Sequence, residues 1–230
     1  MKEKILIVDD EKEISELLAI YLKNDGYDVE IAFDGEEALK KVKGQPPDAM
    51  ILDIMLGDMD GFSLCQKIRE NYFFPILMLT SKIDLGDKIL GLTVGADDYM
   101  TKPFNPLEVV ARIRTQLRRS GRYNQGVSMP EEEISVRGLI IDKTGHRCTL
   151  NGKPLVLTPI EFEILWYLCE HLGKVVSSEA LFEAIWREKY MDNNNTVMAH
   201  IGRIREKMQD SGRHAKYIKT VWGVGYVIEK

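Results

Sequence analysis

Ile5-Leu6-Ile7-Val8-Asp9-Asp10 sets the reading of the first half of the chain. Four consecutive apolar residues without in-out alternation suit a strand covered on both faces, as in a parallel sheet. A pair of carboxylates follows at once, where the end of such a strand opens to solvent. The pattern recurs: Met50 to Leu52 runs into Asp53, Ile76 to Leu79 into Thr80, and Asp98-Tyr99-Met100 leads to Lys102, with Val29 to Phe33 as the remaining run. Helix-period stretches lie between them. Glu13 to Lys23 places Ile14, Leu17, Leu18 and Tyr21 on one face, and Leu107 to Leu117 does the same with Val110, Ile113 and Leu117. The expectation is an α/β fold with a five-stranded, parallel, doubly wound, flavodoxin-like sheet.

Ligands of such sheets bind beyond the carboxyl ends of the strands. Asp9, Asp10, Asp53, Thr80 and Lys102 all fall there. Converging carboxylates repel unless a hard cation joins them, and Mg²⁺ takes one or two carboxylates plus waters. With a hydroxyl and an ammonium beside them, the set suits phosphoryl transfer, which needs positioning and charge neutralisation. Asp53 would be the nucleophile. Each residue alone has a plainer reading as a cap, a turn or a solvated charge; five at corresponding strand ends favour a site. A Mg²⁺-dependent phosphohydrolase of the haloacid-dehalogenase type would want a second aspartate two positions after the nucleophile. Asp9 is followed by Asp10 and Glu11, and Asp53 by Ile54 and Met55, so that spacing is absent.

The 230 residues, 44% hydrophobic and 29% charged with 18 Gly and 8 Pro, exclude collagen-like and disordered classes and favour two small domains. No apolar run approaches the ~18 residues of a membrane helix. The start mixes acidic and basic residues and lacks a signal-peptide core, so a cytoplasmic protein without a membrane partner is expected. Cys65, Cys148 and Cys169, flanked by apolar residues, read as reduced structural thiols. The net charge of −5 is unevenly spread: residues 1–119 carry 16 basic against 22 acidic side chains, and residues 120–230 carry 15 against 14. From Asp192 onward basic residues lead by 7 to 4, a local bias suited to a phosphate backbone.

Residues 1–119 form the first expected domain. The Gly-, Ser-, Asn- and Pro-containing stretch 120–133 has no periodicity and reads as a linker, and 134–230 as an α+β domain. Residues 134–157 are β-like, with a hairpin signal at Asn151-Gly152. Thr158-Pro159-Ile160-Glu161 has the pattern of a helix-opening capping box. Two more helices are expected from Ser177/Ser178 to about Trp186 and from Asn193–Asn195 to about Met208, then a hairpin over Tyr217 to Ile228. On the third helix Val197, Ile201, Ile204 and Met208 form the buried stripe, which leaves Asn195, Thr196, Ala199, Gly202, Arg203 and Glu206 outward, with Arg205 and Lys207 on the flanks. Arg203 is placed to contact guanine in a major groove. His200 beside the stripe has two readings, a phosphate contact or a packing role.

Ile7-Val-Asp-Asp10, Leu52-Asp53-Ile-Met55, Leu79-Thr80-Ser81, Gly95-Ala-Asp-Asp-Tyr99 and Thr101-Lys-Pro-Phe104 together resemble two-component response regulators of the OmpR/PhoB-like winged-helix class, over essentially the whole chain. The resemblance implies a receiver domain and a winged helix-turn-helix DNA-binding domain, and a regulator rather than an enzyme. Asp53 would accept phosphate from a sensor histidine kinase. Asp10, Asp53 and the Met55 carbonyl would hold Mg²⁺, with Asp9 near the metal. Thr80 and Lys102 would bind the phosphoryl group, Lys102-Pro103 would be cis, and Tyr99 would turn inward on activation. Met55 and Lys82 occupy positions that tune dephosphorylation. Lys88, Ile89, Leu92, Asp97, Asp98, Glu108, Val110, Arg112 and Arg119 resemble the face through which phosphorylated members form homodimers. The partners implied are the kinase, double-stranded promoter DNA and RNA polymerase. Two departures stand out: Gly202 replaces a larger polar or basic residue, and Trp222 replaces a common wing arginine. Trp222 has two readings, packing on the hairpin or lying against a sugar-phosphate backbone, with Lys219 supplying charge. The tail is most similar to regulators of glycopeptide-resistance and other cell-envelope operons.

Overall fold

The computed structural model describes residues 2–81, 95–121, 133–187, 196–210 and 215–230. Two compact units divide the chain, Met1–Gly121 and Arg122–Lys230.

In the first, β1 (Lys4–Val8), β2 (Asp28–Ala32), β3 (Ala49–Asp53), β4 (Ile76–Thr80) and β5 (Asp98–Thr101) form one parallel sheet in the order β2-β1-β3-β4-β5. Strand pleating sends alternate residues to opposite faces. Ile5, Ile7, Ile51, Leu77 and Leu79 meet α1 (Lys12–Asn24) and α4 (Pro106–Gly121). Leu6, Val8, Met50, Leu52 and Met78 meet α2 (Gly35–Gly44) and α3 (Gly61–Arg69). Two apolar faces explain why β1, β3 and β4 read as unbroken apolar runs, and β2 at the edge does not. On α1 the buried stripe is Ser15, Leu18, Ala19 and Leu22, while Leu17, expected inside, is 44% exposed. The buried face is turned by about one position, to the side that carries the small Ser15 and Ala19.

In the second unit β6 (Glu133–Val136), β7 (Leu139–Asp142), β8 (Arg147–Leu150) and β9 (Lys153–Pro154) make an antiparallel sheet. The helices α5 (Pro159–Glu170), α6 (Ser178–Trp186) and α7 (Thr196–Lys207) follow, and β10 (Val176–Ser177), β12 (Gly225–Ile228) and β11 (Ile218–Val221) pair in that spatial order. One core joins all three helices with the inner faces of both sheets. Asn151 and Gly152 take φ values of 51° and 76°, as a two-residue hairpin turn requires. Arg137 and Gly138, at 50° and 87°, make a second such turn between β6 and β7. The three cysteines are free and buried, and burial pushes the Cys148 and Cys169 thiols up to about 12. Among the described residues no helix is long and apolar enough to cross a membrane. Most of the 120–133 stretch, together with Lys82, Lys88, Ile89, Leu92, Asn195 and the side chain of Arg119, lies outside what is described.

Candidate functional site: a carboxylate pocket and the third helix of the second unit

The order of the five-stranded parallel sheet reverses between β1 and β3, and the crevice at such a reversal is where an open sheet binds its ligand. Asp9 follows β1 and is fully buried, and Asp53 ends β3 at 3% exposure. Asp10 is exposed at the rim, and carboxylate oxygens of Asp9, Asp10 and Asp53 lie within 4.8 Å of one another, a group able to hold a metal ion. Lys102 follows β5 directly, and the Lys102-Pro103 bond after it is cis. Its Nζ is 3.0 Å from Asp9 Oδ2, 3.1 Å from Asp53 Oδ2 and 3.0 Å from Glu11 Oε1. Thr80 ends β4, buried, and its carbonyl accepts from the Lys102 amide at 2.7 Å. Four separate stretches of sequence thus meet in one crevice.

Burial pushes the Asp9 carboxyl above the usual carboxylate range, against the pull of the Glu11 amide and of Lys102. The Asp53 carboxyl is raised by burial and by the neighbouring Asp9 charge. Burial alone would lower the Lys102 ammonium, but hydrogen bonds to Glu11 and Asp9 and the charge of Asp53 raise it instead. Two carboxylates disfavoured as anions beside one cation are suited to a further positive charge. The Ile54 amide donates to Asp53 Oδ1 at 2.9 Å, fixing the carboxylate on its strand end. The loop after it folds back: the Gly61 amide donates to the Ile54 carbonyl at 2.8 Å, and Met55, 56% exposed, pairs with Asp60. A Cβ on Gly61 would run into the Asp53 carbonyl oxygen. Glu11 is the member sequence reasoning missed. Its signal was a third carboxylate adjoining Asp9 and Asp10, read there only as spacing. Tyr99 is half-buried on β5 against the α2/α3 side of the core, and Pro103 is exposed.

On α7 the expected stripe is buried: Val197, Ile201, Ile204 and Met208. The outward face differs from expectation. Arg203 is 8% exposed and Thr196 2%, so neither stands outward, and His200, expected beside the stripe, is fully buried. The buried arc is wider on one side because Glu161 of the α5 capping sequence, itself fully buried, turns its carboxylate toward α7. Glu161 accepts from the Thr158 amide at 2.8 Å and from Lys207 Nζ at 2.6 Å, with Arg203 Nε 3.7 Å away. Arg203 also reaches His200 Nδ1, and the His200 ring lies 5.4 Å from that of Trp186, so His200 packs. Arg205 donates to the Ile218 carbonyl at 3.0 and 2.7 Å and to the Thr220 hydroxyl at 2.8 Å, fastening the β11–β12 hairpin to the helix. The exposed arc carries Met198, Gly202 and Glu206, with Ala199 half-buried. Lys219 pairs with Glu229 at 2.6 Å. Trp222 is 91% exposed at the hairpin tip, which removes the reading that it packs the hairpin.

Residues 5–114 match the response regulator receiver domain, and residues 152–228 match the C-terminal domain of transcriptional regulatory proteins. The chain belongs to the OmpR/PhoB-type response regulators. Over full length on both sides it is 58% identical to the regulatory protein VanRc of Enterococcus gallinarum and 53% identical to the regulatory protein VanR of Enterococcus faecium. Among solved structures, the Thermotoga maritima OmpR/PhoB homologue DrrB matches with 35% identity and a TM-score of 0.53 over all of both chains. A RitR mutant matches with 28% identity and a TM-score of 0.74 over 98% of each. The protein is a transcriptional response regulator, not an enzyme, and works with a sensor kinase and DNA.

In this response regulator the face around β5 is only partly as expected. Asp97 is 1% exposed and turned inward, where Arg69 Nη2 meets it at 2.7 Å and the Ile76 amide at 2.9 Å. Val110 is 6% exposed and belongs to the core between α4 and the sheet. Neither is available to a partner surface, and Asp98, 7% exposed, reaches that surface only through its ion pair with Arg112. A carboxylate at the start of β5 is pinned by Arg69 before it can face out, and Val110 sits one turn from Ile113 on the buried side of α4. Asp98, Arg112 and Glu108 form an ion-pair chain, Arg112 lying 2.8 Å from Asp98 and 3.0 Å from Glu108.

Proposed function

We propose that Asp53 is the phosphoacceptor, taking a phosphoryl group from a phosphohistidine of the sensor kinase: a carboxylate oxygen attacks phosphorus, the P–N bond breaks, and an acyl phosphate remains. The observation carrying this is Lys102 Nζ, 3.1 Å from Asp53 Oδ2 and 3.0 Å from Asp9 Oδ2. Asp9, Asp10 and Asp53, with the Met55 carbonyl, suit Mg²⁺, a hard cation taking oxygen donors. When bound, Mg²⁺ would neutralise charge on the phosphoryl oxygens. Lys102 holds the acceptor before transfer and pairs with the phosphoryl charge after it. Thr80 donates to a phosphoryl oxygen, and Tyr99 responds on β5.

The domains are taken as 1–119, a linker at 120–133 and 134–230. Phosphorylation favours a homodimer through the face that includes Asp98, Glu108 and Arg112, which brings two winged-helix domains onto paired promoter half-sites. Ala199 and Gly202 of α7 face the major groove, and Lys219 and Trp222 serve the wing. RNA polymerase is the downstream partner, and the cytoplasm the compartment. The test is incubation with Mg²⁺ and a small phosphodonor, followed by intact mass and oligomeric state. Wild type gains a phosphoryl adduct and dimerises; Asp53→Asn does neither. An adduct persisting in Asp53→Asn would move the acceptor elsewhere.

A further inference from the structure

The outward arc of α7 has little charge to offer a nucleic acid. Its three basic side chains are engaged within the domain, Arg203 and Lys207 with Glu161, and Arg205 with the Ile218 carbonyl and the Thr220 hydroxyl. What faces outward among the described residues is Met198, 52% exposed, beside Ala199, Gly202 and Glu206. At 3.6 residues per turn, Met198, Ala199 and Gly202 share an arc of about 100°.

Two of these residues are unexplained by the fold. A thioether more than half in water gains the helix little packing, and methionine adapts readily to a binding surface. A Cβ placed on Gly202 would meet nothing within 4 Å, so packing does not require glycine there, and glycine lowers helix stability. Both make sense at the edge of a base pair. A bare backbone at Gly202 lets the helix axis come close, and apolar side chains match one feature of the major groove, the thymine C5-methyl group.

We infer that α7 reads thymine methyl groups: Met198 and Ala199 contact them, Gly202 sets the depth of approach, and arginine-to-guanine pairing from this helix has no part in its specificity. The partner is duplex DNA with A·T pairs under the centre of each helix. The inference rests on the docking of α7 in the major groove proposed above. Glu206, on the same side of the helix, adds an acceptor suited to a cytosine amino group.

The full chain, treated with Mg²⁺ and a small phosphodonor, is used to enrich duplexes from a random pool. The enriched duplex is then remade with uracil in place of each thymine in turn, which removes the methyl and leaves pairing intact. Binding should weaken about fourfold for each contacted methyl, from ~0.8 kcal/mol per buried carbon. Met198→Ala should bind thymine and uracil duplexes alike at one such position, and Met198→Leu should keep the discrimination, a coupling that a merely structural role would not produce. Equal binding of thymine and uracil duplexes, with sequence preference intact, overturns the inference and leaves DNA binding standing. Undiminished uracil sensitivity in both Met198→Ala and Ala199→Gly overturns the residue assignment. Failure to enrich any sequence overturns the docking on which both depend.

Discussion

Arg203 shows what a helical wheel leaves out. The apolar stripe of α7 was legible, but a buried carboxylate on α5 has no signature in the pattern of α7, so the polar half of the buried arc was invisible until Glu161 was seen facing it. Arg203→Ala should therefore cost stability as well as any DNA effect. It leaves Glu161 with one cation, Lys207, in a site closed to water, and denaturant unfolding should show a loss of about 1–3 kcal/mol. Stability equal to wild type would place Arg203 back at the surface. His146, whose ring centroid lies 3.7 Å from that of Phe162, is held neutral by burial, its pKa lowered to about 3 from an ordinary 6.5. The unfolded chain takes up this proton first, so stability falls as pH drops from 6.5 toward 3 and is fully kept above 6.5. The slope stays below ~1.4 kcal/mol per pH unit, because solvent reaches part of the ring. Urea unfolding of wild type and His146→Gln across that range checks it: the variant's profile should be flatter.

At the scale of elements, β1, β3 and β4 were plain because both sides of the sheet are covered, and an unbroken apolar run has few other uses. α1 was harder. Its buried stripe includes Ser15 and Ala19, which carry little hydrophobic signal, so Leu17 was drawn into a core it does not join. The carboxylate pocket was legible for a different reason: apart from Glu11, its members sit at or just past the ends of the strands, and the sheet does the gathering. Gly61 opens α3 with no room for a side chain, since a Cβ would meet the Asp53 carbonyl and Ile54 Cα. Gly61→Ala must push the β3–α3 loop away from the acceptor. The expected result is a loss of about 1–3 kcal/mol in stability together with slower labelling of Asp53 by a small phosphodonor. Labelling at the wild-type rate would mean that the loop moves without carrying Asp53. The wing carries the opposite expectation. Trp222 contributes almost no burial, so Trp222→Ala should leave the unfolding midpoint unchanged while weakening operator binding several-fold, read by fluorescence anisotropy.

For the whole molecule the charge division matters most. The receiver half carries 16 basic and 22 acidic side chains and the DNA-binding half 15 and 14, so the N-terminal half has no electrostatic reason to approach a phosphate backbone. Under the proposed homodimer its contribution to DNA binding comes through pairing two chains, which makes the second half-site contact intramolecular and raises its effective concentration. The Asp98–Arg112–Glu108 chain at the edge of β5 and α4 is where that pairing can be perturbed without touching the acceptor pocket. Arg112→Glu places a third carboxylate beside Asp98 and Glu108, and like charges in contact oppose both the local ion pairs and any matching set on a second copy. The expected outcome is phosphorylation of Asp53 at the wild-type rate, dimerisation of the phosphorylated chain weakened at least about tenfold, a loss of roughly 1.4 kcal/mol, and binding to one half-site unchanged. Sedimentation equilibrium of the phosphorylated variant, with anisotropy on single and paired half-sites, separates these effects. If the variant dimerises as wild type does while still accepting phosphate, the pairing surface lies elsewhere on the receiver, and the ion-pair chain only fastens α4 to the sheet.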